Sequence, residues 1–162
     1  MKKCRLLPPI FLLLILLLAG PSGNAQSRPF NADIVVALDG SGDFDKIQAA
    51  IDAVPSNSDR RTIIYIKRGL YNTEKLIVPG SKKNVTFIGE SREETIISYH
   101  IYDCSTGKCP TADAAKWTGD IIRTSATLTL QGDGSRAENL TIENTPGPVG
   151  QALAITVTSD KN

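Results

Sequence analysis

The chain has 162 residues, with 18 basic and 17 acidic side chains and a formal net charge of +1. This length favours a single domain that can bury a core of its own. The balanced charge lacks the basic excess that is typical of nucleic-acid-binding proteins, so we expect no nucleic-acid partner.

Residues 1–25 have the three parts of a secretory signal. Lys2, Lys3 and Arg5 give a positive start, an apolar run covers residues 10–19, and small residues at 23–25 form a cleavage site. As a helix the apolar run would rise only about 15 Å, too short for a hydrocarbon core of about 30 Å. We therefore predict a cleaved signal peptide, a secreted or periplasmic location and no stable membrane anchoring.

The mature chain is predicted to begin with a polar linker over residues 26–32, followed by the main domain over residues 33–162. Residues 34–38 are apolar and β-branched and predict a strand. One amphipathic helix follows, and we expect Asp43 or Asp45 to cap its N-terminus. Its apolar face, spaced at i, i+3, i+4 and i+7, is formed by Ile47, Ala50, Ile51 and Val54.

Beyond the helix the chain predicts many short strands and no second long helix. Each segment is β-branched and apolar and is bounded by Gly, Pro, Asn, Asp or charged residues, and no hairpin signature separates them. The predicted strands are residues 63–66, 76–78, 85–88, 95–97, 126–130, 140–142 and 153–157.

The spacing of the last strands favours an all-β fold of stacked coils. Similar triplets begin at Leu128, Leu140 and Leu153, which are 12 and 13 residues apart. A stacked coil exposes apolar side chains and strand edges at its first turn, and the single helix would cover them. We therefore predict a parallel β-helix with an N-terminal capping helix, and keep a β-sandwich as the alternative.

Residues 99–118 break this rhythm and predict a long polar loop. Signal cleavage leaves two cysteines in the chain, Cys104 and Cys109, and export permits a disulfide between them. A zinc site needs about four ligands, which the single histidine cannot complete, so we predict no metal. Three aromatic residues of this region could stack on sugar rings or pack the loop onto the scaffold: Tyr99, Tyr102 and Trp117.

Segments along the chain resemble, in order and spacing, those of pectin methylesterases. The resemblance covers nearly all of residues 33–162, and the insertion that holds the two cysteines is similar to the bacterial branch of the family. The matching segments are 36–44, 46–55, 64–71, 84–89, 95–97, 125–127, 132–134, 138–145 and the Gln-Ala box at 150–154.

The resemblance implies a right-handed parallel β-helix that removes methyl groups from the galacturonate esters of pectin. In the family, one aspartate attacks the ester carbonyl and a second donates a proton to the departing methoxide and later activates water. Glutamines hold the oxyanion and an arginine orients the nucleophile. The resemblance further implies no metal or cofactor, pectin as the partner, and a monomer when the protein is complete.

Two positions carry substrate-binding roles over from the family. Gln151 matches the first oxyanion glutamine, since it stands in the Gln-Ala box. A family threonine that contacts substrate has its place at Ile122, with Thr124 two residues on, and Thr124 is the candidate that we carry forward.

The catalytic aspartates of the family would lie beyond Asn162. Asp120 and Asp133 are predicted to be turn residues, and Asp160 comes too early to be the acid. We therefore expect the chain to be the N-terminal part of a truncated β-helix that is catalytically incomplete alone. The alternatives are a non-catalytic carbohydrate-binding β-helix and a pectate-lyase-like β-helix enzyme.

Overall fold

A computed structural model describes residues 28–102, 125–148 and 151–159, and their strands form three stacked sheets. Sheet A contains β1 (Ile34–Val36), β2 (Thr62–Ile66), β5 (Val85–Gly89) and β8 (Arg136–Glu138). Sheet B contains β3 (Gly69–Tyr71), β6 (Thr95–Tyr99) and β9 (Thr141–Asn144). Sheet C contains β4 (Leu76–Val78), β7 (Ala126–Leu130) and β10 (Leu153–Val157).

Each pass through the three sheets makes one coil of a parallel β-helix. In the described part of the chain every strand pair is parallel, whereas a β-sandwich is built from antiparallel strands. The predicted β-helix is therefore confirmed and the sandwich alternative is wrong. Coils follow one another as β2–β3–β4, β5–β6–β7 and β8–β9–β10, and β1 pairs with β2 at the start of the stack.

The triplets at Leu128, Leu140 and Leu153 do not mark one coil each. Leu128 and Leu153 lie on sheet C, but Leu140 directly precedes β9 of sheet B. In the stacked register Leu128 lies opposite Ile155, so that one coil spans both of the spacings seen in the sequence. The periodicity thus predicted stacking correctly, although the repeat unit is about twice as long.

Two three-residue strands, β3 and β8, were not predicted from the sequence, and they complete the coils. β3 contains Gly69 and β8 has three exposed residues, so neither has the apolar pattern of a strand. Both pair with a neighbouring strand, since Leu70 lies opposite Ile96 and Ala137 lies opposite Phe87, and β3 also buries Tyr71 in the core. A strand of this kind is recognised only from its neighbour.

Apolar side chains fill the interior of the coils as a continuous column. The alternation expected for a period of two is seen in β4, where Leu76 and Val78 are buried and Ile77 is exposed. The largest fully buried side chains are Phe87, Ile47, Ile51, Ile64, Ile66, Leu76, Ile97, Leu128, Val36, Val54, Val78 and Val85.

The helix α1 (Ile47–Ala53) closes the first coil. Its predicted face is confirmed, because Ile47, Ala50 and Ile51 are buried in the core and Val54 follows them at the C-cap. The predicted cap is wrong: Lys46 is the N-cap residue and makes no side-chain capping hydrogen bond. The backbone N–H of Gln48 instead donates to Glu74 Oε1 at 3.1 Å, so the cap comes from a distant segment.

The side chain of Gln48 also pairs with the exposed edge of sheet C. Its Oε1 accepts the Ile77 N–H at 2.9 Å and its Nε2 donates to the Ile77 carbonyl at 3.1 Å. These are the two bonds that a neighbouring strand would make with β4, which is the edge strand of this sheet. At the other end of α1, Lys82 Nζ donates to the Asp52 and Val54 carbonyls.

Two aspartates secure β1 at the start of the fold. Asp43 accepts the Val35 N–H at 2.7 Å and accepts hydrogen bonds from both terminal guanidinium nitrogens of Arg28, a residue of the predicted linker. Burial alone would raise the pKa of Asp43, but the Val35 N–H and Arg28 hold it below its ordinary value. Asp33 behaves in the same way: burial alone would raise its pKa, but the Ile63 N–H and the ion pair with Arg60 lower it.

The predicted signal peptide lies outside the described residues. Within the part that is described, no helix is long and apolar enough to cross a membrane. Residues 28–32, which belong to the predicted linker, lie against the first coil, since Ala32 is buried and the rings of Phe30 and Tyr65 are 5.8 Å apart.

Replacing Gln48 with alanine should destabilise the protein by about 1–2 kcal/mol, because the edge of β4 loses two hydrogen bonds. Alanine is the better helix former, so intrinsic helix propensity acts in the opposite direction. Urea unfolding measures the change, with Gln131→Ala in an exposed turn as the control. Equal free energies of unfolding for the two variants would contradict this role of Gln48.

Stability should fall as the pH is lowered below about 4, the ordinary range of an aspartate pKa. Asp33 and Asp43 have lowered pKa values in the folded state. Their contribution to stability is therefore fully present when the pH is above the pKa of the unfolded chain, and it is lost as the pH falls through the pKa of the folded protein. The double variant Asp33→Asn/Asp43→Asn should flatten this dependence in urea unfolding between pH 2.5 and 6. Asp59→Asn, at an exposed position, should leave the slope intact, and an unchanged slope in the double variant would refute the assignment.

Candidate functional site

Gln151 lies directly ahead of β10, at the start of the last described strand of sheet C. Its side chain is exposed to solvent. The strand that follows is anchored at its first residue, because the Leu153 N–H donates to the Ser125 carbonyl at 3.1 Å and Leu153 lies opposite Ala126 of β7. The exposed amide of Gln151 is therefore two residues from a fixed point of the scaffold.

Asn144, the last residue of β9, holds the backbone around this point. Its Nδ2 lies 2.7 Å from the Ile101 carbonyl and 2.9 Å from each of the Ser125 and Leu153 carbonyls. Its Oδ1 accepts the Ile101 N–H at 3.0 Å. One side chain thus joins the end of β6, the start of β7 and the start of β10.

Two buried threonines lie on the outer face of sheet C, beside β10. Thr127 and Thr129 alternate with Leu128 and Leu130, whose side chains pack in the core. Thr127 Oγ1 donates to the Glu143 carbonyl at 2.8 Å. Thr129 Oγ1 is buried without a hydrogen-bond partner among the described residues, and so is Thr156 Oγ1, whose residue lies opposite it on β10.

A lysine side chain, Lys75, lies at the start of β4 in the same sheet. Lys75 immediately precedes β4, whose Leu76 is in register with Leu128 of β7. Burial lowers the pKa of the Lys75 ammonium below its ordinary value. No group of three or more His, Cys, Asp or Glu residues that could hold a metal ion occurs in the described ranges.

Several residues that the sequence singled out lie outside the described ranges. Asp133 is described and lies in a turn before β8, as predicted, where its carbonyl accepts the Asn84 N–H at 2.8 Å. The ring of Tyr99, one candidate for sugar stacking, lies 4.9 Å from the ring of His100. The residues outside are Thr124, Ile122, Cys104, Cys109, Trp117, Asp120 and Asp160, whose predicted roles stay predictions.

The sequence did not identify Asn144, Thr127 or Thr129 as functional candidates. Asn144 stands in a segment that resembles the family, but nothing in the sequence around it predicts its contacts with Ile101 and Leu153. Those contacts become visible only when the coils are stacked.

A family model described as Pectinesterase matches residues 33–162. The chain belongs to the pectinesterase family. It is 38% identical over 143 residues to Pectinesterase 4 of Arabidopsis thaliana, covering 88% of this chain and 22% of that protein. Relatives from plants do not test the predicted resemblance to the bacterial branch, which stays a prediction.

Solved structures of pectin methylesterases share the fold. The carrot enzyme superposes with a TM-score of 0.69 at 35% identity, over 83% of this chain and 38% of that one. A pectin methylesterase in complex with a hexasaccharide gives a TM-score of 0.65 at 26% identity, over 80% of this chain and 40% of that one. The chain therefore spans less than half the length of these relatives.

Thr127→Val should cost about 1–2 kcal/mol, because it removes a buried hydrogen bond to the Glu143 carbonyl. Thr129→Val removes a buried hydroxyl that has no partner in the described part of the chain and should be neutral or stabilising. The two changes are chemically identical and lie two residues apart on one face of β7. Urea unfolding of both variants provides the comparison, and an equal loss of stability would be inconsistent with the assigned bonds.

Proposed function

We propose that this chain is the N-terminal β-helical part of a pectin methylesterase, with Gln151 as the first oxyanion-binding glutamine. The reaction hydrolyses the methyl ester of galacturonate in pectin and gives methanol and a free carboxylate. The observation that carries the proposal is the exposed Gln151 ahead of β10, within a chain that belongs to the pectinesterase family.

The chemistry of ester hydrolysis explains why an amide at this position matters. Attack on the ester carbonyl places negative charge on its oxygen, and an N–H fixed in advance stabilises that charge without reorganisation. One such donor contributes about 2.7–4 kcal/mol to the transition state in acyl transfer. An exposed glutamine beside an anchored strand has the freedom to face substrate and the support to keep its position.

The proposal assigns the nucleophilic and acid aspartates to residues beyond Asn162. Of Asp120, Asp133 and Asp160, the structure describes Asp133, which lies in a turn. Its backbone carbonyl accepts a hydrogen bond from the Asn84 N–H and so joins two coils. We therefore propose that residues 33–162 supply the scaffold and one oxyanion donor, and that the chemistry needs the complete polypeptide. Thr124 is proposed as a further substrate contact.

The proposal extends to location and state of assembly. Residues 1–25 have the pattern of a secretory signal, and methylated pectin is a polymer of the cell wall, so an exported enzyme would meet its substrate. The complete protein is proposed to act as a monomer on the polymer, since no step of the reaction requires a second copy.

Gln151→Ala in the complete polypeptide should lower kcat for methanol release from methylated pectin about 10²–10³-fold. KM should change little, because the donor acts on charge that develops in the transition state. Gln131→Ala, an exposed glutamine in the turn after β7, is the matched control and should keep wild-type kcat.

The same assay tests the division of labour between the two parts of the protein. The 162-residue chain alone should release no methanol, while the complete polypeptide should be active. Methanol release by the 162-residue chain would refute the assignment of the aspartates. Retention of that chain in an affinity gel containing pectin, with an inactive complete polypeptide, would favour the carbohydrate-binding alternative.

A further inference from the structure

The side-chain amide of Asn144 makes more contacts than a coil turn requires. It forms a matched pair with Ile101, donating to the carbonyl at 2.7 Å and accepting the N–H at 3.0 Å. It also donates to the carbonyls of Ser125 and Leu153, both at 2.9 Å. Two N–H groups therefore serve three carbonyls, which fixes the plane of the amide.

The three partners of Asn144 come from three separate segments of two neighbouring coils. Ile101 follows β6, Ser125 immediately precedes β7, and Leu153 is the first residue of β10. Ser125 and Leu153 are also joined directly, because the Ser125 carbonyl accepts the Leu153 N–H at 3.1 Å. Asn144 therefore fixes the spacing between β7 and β10 of sheet C at the point where β10 begins.

This point controls the backbone that carries Gln151. An extended chain advances about 3.3 Å per residue, so the Gln151 backbone lies about 7 Å from the anchored Leu153. The Gln151 side chain is exposed, and its position depends on where β10 starts. An error of about 1 Å in a catalytic contact can cost about 10²-fold in rate.

We propose that Asn144 is a positioning residue for the ester hydrolysis: it holds the start of β10 against β7, so that the amide of Gln151 meets the developing oxyanion. This inference rests on the proposed function and adds a residue that does not touch the substrate. Asn144 acts through Leu153 and Ser125, which it binds directly.

The chemistry of the position requires an amide. An aspartate would offer no N–H and would bring a negative oxygen close to three carbonyl oxygens. An alanine would leave the Ile101 N–H without the acceptor that Asn144 supplies. Both variants should loosen the start of β10, by repulsion in one case and by lost bonds in the other.

Asn139 offers a matched control in the same coil. Its Nδ2 donates to the Gly89 carbonyl at 2.8 Å, so it also bridges neighbouring coils through one side-chain amide. It lies in the turn between β8 and β9, and its described bond does not involve β7 or β10. Asn139→Asp therefore makes the same chemical change at a distance from Gln151.

A first readout reports the position of Gln151 without any enzyme activity. The 162-residue chain contains four glutamines, and its glutamine side-chain amides can be labelled with ¹⁵N. The Gln151 signal is identified by its loss in Gln151→Glu. We expect Asn144→Asp and Asn144→Ala to shift or broaden this signal, while Asn139→Asp leaves it unchanged.

A second readout uses the complete polypeptide and methylated pectin. Asn144→Asp and Asn144→Ala should lower kcat about 10–100-fold with KM unchanged, because the loss affects a transition-state contact. Asn139→Asp should keep kcat within about twofold. Far-ultraviolet circular dichroism confirms that each variant retains its fold, and Asn144→Ala decides the question if Asn144→Asp does not fold.

The outcomes separate this inference from the proposed function. An unshifted Gln151 signal in folded Asn144→Ala, or an equal shift in Asn139→Asp, would overturn the positioning role. A complete wild-type polypeptide without esterase activity would overturn the proposed function, while the amide signal would still report whether Asn144 holds Gln151. A shifted signal together with a fall in kcat at constant KM would support both.

Discussion

The structure depends on the rule that every backbone N–H and C=O leaving a strand ladder needs another partner. Two side-chain amides meet this need where the ladders stop. Gln48 pairs with both backbone groups of Ile77 at the edge of sheet C, and Asn144 pairs with both backbone groups of Ile101 after β6. Each amide reproduces the two bonds of a neighbouring strand, so the coils can begin and can be interrupted without leaving these groups unsatisfied.

The capping helix shows how closely local and distant contacts combine. Its apolar face was readable from spacing, since Ile47, Ala50 and Ile51 all enter the core. Its N-terminal cap was not, because Glu74 belongs to the turn before β4. Asp43 had the right chemistry and location for a cap, but it serves β1 through the Val35 N–H instead. Local propensity gives way here to contacts that form only when the chain is folded.

Strands rich in β-branched residues were predictable because they bury side chains, whereas β3 buries only Tyr71 and the three residues of β8 are all exposed. The same distinction applies to the candidate site. Gln151 could be assigned from a resemblance in sequence, but the contacts of Asn144 join segments that are far apart in the chain. No single-sequence pattern records such a contact, since it needs the register between coils. Residues that support a site are therefore harder to predict than residues that form it.

The longest connection between consecutive strands of one coil lies between β6 and β7, and the strands on its two sides keep their register with the neighbouring coils. Leu76 of β4 lies opposite Leu128 of β7, although residues 103–124 separate β6 from β7 in the sequence. Ile101 and Ser125, on the two sides of residues 103–124, are both bound by Asn144. Because the same amide binds Leu153, the point that tolerates the insertion is also the point that fixes β10. Variation in the length of this segment can therefore leave the strand after Gln151 in place, provided that Asn144 is kept.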